Sequence, residues 1–173
     1  MSAPPLSNSV VLAEDDAKAL LLSCLDYRFQ ERIGRFLWDL GYRNSYDSFI
    51  LAGASLGLSP DVNPKIASWQ PAWWDHLHIA VSLHHIEKVI IVDHENCAAY
   101  KEFVGFDNEA EDASMPNIIP DLELRVHSHF LGRAYDAIKA VYPHLEVELW
   151  MIGLGDNVVR VWPAGQTGPV NGG

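Results

Sequence analysis

Only two cysteines occur in the 173 residues, and each lies in a short run of groups that bind metals or move protons: Cys24-Leu25-Asp26-Tyr27-Arg28 and His94-Glu95-Asn96-Cys97. Two thiolates and one imidazole form the ligand set of a catalytic zinc site, in which the protein fills three positions and the fourth is kept for water or substrate. The second run holds two such ligands within one turn of chain, and the first supplies another from far upstream. Asp26 and Arg28 follow Cys24 at the second and fourth positions. Two roles are open to Asp26. It can close the zinc shell as a fourth ligand, or it can pair with Arg28 and accept a hydrogen bond from water on the metal. In the open case zinc brings the pKa of that water to near ~7.

The context favours metal over a disulfide. Residues 1–9 lack a basic start followed by an apolar run, so no secretory signal is expected, and the expected compartment is a reducing cytoplasm. The formal charge is 12 − 23 = −11, so the chain has no basic footprint for nucleic acid or for an anionic membrane surface. Hydrophobic residues make up 49% and charged residues 20%, the composition of an ordinary globular domain. At this length one domain with its own core is expected.

The elements that must position the two runs follow from hydrophobic spacing. Ala19–Cys24 and Ser48–Ala52 read as strands. Val89–Val92 is β-branched and wholly apolar, as suits a central parallel strand covered on both faces. Glu31–Leu40 places Ile33, Phe36, Leu37 and Leu40 at helical spacing, and Asp75–His85 carries a second helix. Glu95–Phe103 reads as a helix with Cys97 in its first turn, where the dipole favours a thiolate. A longer helix is expected from about Leu122 to Tyr142, stopped by Pro143. Glu146–Ile152 and Val158–Trp162 close the chain as strands. The order βαβαβααββ predicts a single α/β domain with a mostly parallel central sheet flanked by helices and a final edge strand. The expected boundaries are an N-terminal arm over 1–17, a zinc-binding domain over 18–163 and a flexible tail over 164–173. Both motifs fall at carboxyl ends of strands, where such sheets bind ligands.

Cys-x-Asp-x-Arg followed by His-x-x-Cys resembles the signature of the β-class carbonic anhydrases. The stretch "HIAVSLHHIEKVIIVDHENCAA" is similar to the family's helix, apolar strand and metal loop, "SFILAGAS" to its second strand and Ala-Gly turn, and Val147–Trp162 to its closing strands. The likeness spans roughly residues 18–162. It implies zinc at Cys24, His94 and Cys97, an Asp26–Arg28 dyad, reversible hydration of carbon dioxide to bicarbonate, and homodimers or higher homo-oligomers.

The chain also departs from the pattern. Asp93 and Ala98 stand where family members usually carry glycine, Tyr27 where a small residue is usual, and Ile50-Leu51 where Arg-Asn is common. A bulky ring and lost polar groups predict a narrower, more apolar pocket. Two alternatives therefore stand beside carbonic anhydrase: hydrolysis of another heterocumulene such as CS2 or COS, and a catalytically inactive zinc-containing scaffold with Tyr27 blocking the site. Asp93 is expected to cap the following helix. His84-His85 ends a helix, where the dipole suits it. The His127-x-His129 pair is read as surface chemistry, because positions i and i+2 of a helix do not share a face. Trp69, Trp73 and Trp74 read as core or subunit interface.

Overall fold

The computed structural model describes residues 16–106, 119, 121–155, 157–163 and 165. The expected arm and tail lie outside these residues, apart from Asp16, Ala17 and Gly165. Five strands among the described residues form one sheet: β1 (Ala19–Ser23), β2 (Tyr46–Ile50), β3 (Lys88–His94), β4 (Glu146–Ile152) and β5 (Val158–Val161). Among the described residues four α-helices flank it: α1 (Gln30–Asp39), α2 (Trp69–Leu83), α3 (Ala98–Val104) and α4 (Asp121–Val141). The strand order is β2-β1-β3-β4-β5, and only β5 runs antiparallel to its neighbour. The α/β sandwich with an antiparallel edge strand is the architecture expected from the sequence.

Period-two alternation divides each central strand between two cores. Leu20, Leu22, Val89, Ile91, Leu149 and Met151 face α2 and α4, packing against Trp73, Leu77, Leu131, Ala134 and Ile138. Ala19, Leu21, Ile90 and Val92 face the other way, against Phe29 and the α1 residues Ile33 and Leu37. Both faces of β1 and β3 are therefore apolar, which accounts for their unbroken hydrophobic runs.

This strand order fixes where a site can form. From β1 the chain crosses to β2 on one side and then to β3 on the other, so β1 and β3 leave a crevice between their carboxyl ends. Their register aligns Ser23 with Val92, which brings the residues that follow both strands to the same edge. Two elements differ from expectation in ways that matter there. β2 ends at Ile50 rather than Ala52, because the chain turns through left-handed Gly53 and Ala54 (φ 72° and 41°) into a 3-10 segment, Ala54–Leu58. The helix expected at Glu95 starts only at Ala98, because Asn96 is left-handed (φ 56°) and Cys97 extended, at the N-cap position. No helix among the described residues is long and apolar enough to cross a membrane.

Candidate metal centre

Cys24 directly follows β1, and His94 is the last residue of β3. The left-handed turn at Asn96 swings Cys97 back toward His94. One donor atom from each of Cys24, His94 and Cys97 lies within 4.8 Å of the others, and all three residues are buried. The sulfurs are 3.9 Å apart. A tetrahedral ion with Zn–S bonds of about 2.3 Å has S···S edges of about 3.8 Å, so this separation suits two ligands of one zinc. The sulfurs are not bonded to each other.

The histidine is pre-set for the same purpose. Its Nδ1 lies 2.8 Å from the Glu95 carbonyl, which can only accept, so Nδ1 carries the proton. Nε2 is left as a bare lone pair, buried and without a hydrogen-bond partner. An orphaned buried nitrogen beside two sulfurs is costly unless a metal takes it. Phe29 packs on the ring at 4.2 Å between centroids and limits its rotation.

The three groups are electrostatically linked. The Cys97 hydrogen bond pulls Cys24 down to about 4 against the opposing effect of burial, with His94 and the Gly53 amide assisting. Cys97 is pushed up by the adjoining Cys24 thiolate and by burial. For His94, burial works against protonation, yet contact with Cys24 raises its pKa. Gly53 donates its N–H to the Cys24 sulfur at 3.3 Å. A Cβ added to Gly53 would lie 3.1 Å from that of Ala99, so the left-handed φ and the close approach both call for glycine.

Asp26 caps the 3-10 turn Tyr27–Phe29 and is gripped by Arg28. The guanidinium Nε donates to Oδ1 and Oδ2 at 3.0 and 3.1 Å, and Nη2 donates to Oδ2 at 2.7 Å. Arg28 beside it holds the Asp26 carboxyl below its ordinary range. Oδ2 lies 3.9 Å from His94 Nε2, so the carboxylate borders the point where the three donors converge. Arg28 is fixed in turn by the Asn96 carbonyl (2.9 Å) and Asn96 Oδ1 (3.3 Å). Gln30 ties the loop by donating to the Cys24 and Asp26 carbonyls.

A cavity of about 420 Å³ opens onto this cluster, with Leu25, Ala52, Ala98, Ala99 and Phe103 giving it apolar walls. Glu102 and Tyr27 stand among its lining residues. Tyr27 is 86% exposed, so in this structure it does not plug the site. Ile50 and Leu51 do not line the cavity. Ile50, the last residue of β2, is exposed and Leu51 packs on the core, while Ala52 takes the place at the wall. The apolar character comes instead from Leu25, the two alanines after Cys97, and Phe103.

Two readings of single residues are overturned. Asp93 caps no helix: it is 1% exposed and belongs to β3. It accepts from the Ser55 amide (3.1 Å) and hydroxyl (2.6 Å), from the Tyr100 hydroxyl (2.9 Å) and from His127 Nδ1 (2.9 Å). His127 is therefore not a surface residue; it is fully buried, its ring stacked 3.8 Å from that of Tyr100. His129 lies off that buried face, as its i+2 position requires. Glu123, which the motifs do not mark, is buried as well and accepts the Asn96 N–H at 2.6 Å. The α4 residues facing the sheet are Glu123, His127, Phe130, Leu131, Ala134 and Ile138, one helical stripe, so spacing from the apolar members would have flagged both polar ones. The three tryptophans divide: Trp73 is core, Trp74 packs on its margin, and Trp69 meets Phe103 edge-on beside the cavity.

The fold and this cluster define a β-carbonic-anhydrase-like protein. The family described as "Putative carbonic anhydrase" matches residues 14–152, and the chain belongs to it. An uncharacterised protein of Rickettsia conorii is 30% identical over 159 residues, covering 91% of this chain and 78% of that protein. The β-carbonic anhydrase CafA of Aspergillus fumigatus shares the fold at TM-score 0.54 and 13% identity, over 90% of this chain and 80% of its own. A tetrameric β-carbonic anhydrase of Sordaria macrospora aligns at TM-score 0.50 and 13% identity, over 88% and 83%.

Proposed function

We propose that this chain is a zinc enzyme that hydrates carbon dioxide reversibly to bicarbonate, with Cys24, His94 and Cys97 as metal ligands. The observation that carries the reading is the bare His94 Nε2, buried with two sulfurs at tetrahedral-edge distance under an apolar cavity. When bound there, zinc supplies the Lewis acidity that makes water a nucleophile near neutral pH.

The chain's own residues supply the rest. Leu25, Ala52, Ala98, Ala99 and Phe103 suit a small linear apolar substrate and exclude competing water. Asp26 stays ionised through Arg28, so it can accept a hydrogen bond from the attacking oxygen and aim its lone pair at the substrate carbon. Arg28 engages both Asp26 oxygens, and this favours the carboxylate as hydrogen-bond acceptor over its alternative role as fourth ligand. Leu25, Tyr27 and Ile50 are exposed apolar groups near the same sheet edge, a surface suited to a second copy in a homodimer or larger homo-oligomer.

Stopped-flow CO2 hydration by zinc-loaded protein at pH 7 and pH 8.5 tests the reading, with Cys97→Ser and Asp26→Ala as controls. Turnover above buffer that both substitutions abolish or cripple is expected. A zinc-replete protein without turnover at either pH overturns it. The apolar part of the wall, Leu25, Ala52, Ala98, Ala99 and Phe103, also favours a second reading, in which CS2 or COS is the substrate. Sulfide release faster than CO2 turnover would select it.

A further inference from the structure

Asn96 is the turning point of the loop that carries two of the three donors, and two other elements hold it. Its carbonyl and side-chain oxygen accept from Arg28, and its N–H donates to Glu123 of α4 at 2.6 Å. One turn on along α4, His127 places Nε2 3.8 Å from the same Glu123 oxygen, while its Nδ1 donates to Asp93. Asp93 immediately precedes His94 and also takes Ser55 and Tyr100. A buried polar set thus runs behind the metal cluster from Asp93 through His127 and Glu123 to Asn96, and on to Arg28 and Asp26. Asp93, Tyr100, His127 and Glu123 are absent from the cavity wall, so none of them meets a ligand there. Burying two carboxylates and an imidazole is unfavourable unless their partners are fixed in return.

We propose that Glu123 is a positioning residue for the metal centre. By holding the Asn96 amide it keeps that residue left-handed, which aims His94 and Cys97 at one point and presents the Asn96 oxygens to Arg28. Asp93 and His127 hold Glu123's helix against the end of β3. This inference rests on the proposed zinc ligation.

The test compares wild type, Glu123→Gln, Glu123→Ala and Asn96→Gly/Glu123→Ala. It reads zinc affinity by competition with a chromophoric chelator, the visible spectrum of the cobalt(II) form, and kcat and KM for CO2. Removing a direct partner of a metal ligand weakens affinity by about 10- to 100-fold; Glu123 acts one residue removed, through Asn96, so Glu123→Ala is expected near the lower end, about 10-fold, with altered cobalt bands. Glu123→Gln keeps an acceptor oxygen but loses the charge, and should fall between alanine and wild type. kcat should drop with KM little changed, because the dyad is misaligned while the cavity wall is intact. Asn96→Gly should recover part of the lost affinity, since glycine takes the left-handed conformation unaided. Wild-type affinity and cobalt bands in a folded Glu123→Ala protein overturn the proposal, as does absence of recovery in the double variant. If Glu123→Ala does not fold, Glu123→Gln and Asn96→Gly/Glu123→Gln decide by the same criteria. Zinc binding without CO2 turnover in wild type would remove the proposed activity, and the affinity series would still decide the role of Glu123.

Discussion

Asp26 illustrates how much of this site depends on which atom a charge faces. Its carboxylate borders the Cys24–His94–Cys97 cluster, and Arg28 holds it there as an ionised acceptor with three hydrogen bonds. Asp26→Ala should therefore leave zinc content near one per chain while kcat falls about 100-fold or more, the usual contribution of a positioned proton acceptor. Metal analysis beside stopped-flow rates checks both halves. Cys97→Ser should instead lose the metal itself, because a serine hydroxyl is a poor substitute for thiolate. The Cys24–His94–Cys97 cluster and the Asp26–Arg28 pair are legible in the sequence, since their residue types and spacings mark them directly. Asp93 is not. It resembles a cap only if a helix begins at Glu95, and nothing in the residue types shows that Asn96 turns left-handed and delays that helix to Ala98. Nor do residue types alone separate a blocking Tyr27 from the outward one observed, because that depends on the 3-10 turn that carries it.

Among the elements, the central strands are the most legible, because β1 and β3 bury both faces and so carry unbroken apolar runs. α4 is legible in extent but not in phase. His127 and Glu123 have the polarity of a helix surface, although they fall on the stripe set by Phe130, Leu131, Ala134 and Ile138. The register of β3 and β4 sets Lys88 against Glu146 and brings its ammonium 2.9 Å from Glu148. Burial tends to raise Glu148, yet Lys88 outweighs it and the carboxyl sits below its ordinary value of 4.5. A depressed acid contributes stability above its unfolded pKa and loses it as pH falls through the folded one. Urea unfolding should therefore show stability declining below about pH 4.5, and Glu148→Gln should flatten that decline. Lys88, raised by the same partners against the effect of burial, loses its contribution only as pH climbs above its unfolded 10.5. In the core between sheet and helices, Ile91→Ala should cost about 2–5 kcal/mol in the same assay, since the site is closed on every side.

For the whole molecule, the reversal of strand order between β1 and β3 makes the site a property of the fold rather than of any one segment. An acidic surface and an exposed apolar rim beside the cavity point to self-association rather than to a polyanion as partner. Sedimentation should give a dimer or larger species, and Ile50→Asp should shift it toward monomer. Cys24 and Cys97 lie 73 positions apart along the chain and meet only once both strands have entered the sheet. An ion held by them is a removable staple across that crossover, and folding and metal uptake become one linked equilibrium. For a chain of this size, each tenfold rise in free zinc above the dissociation constant should lift the melting temperature by roughly 3–6 °C. A chelator should lower it again, and in cells the supply of zinc would then govern how long the polypeptide survives as well as how fast it works.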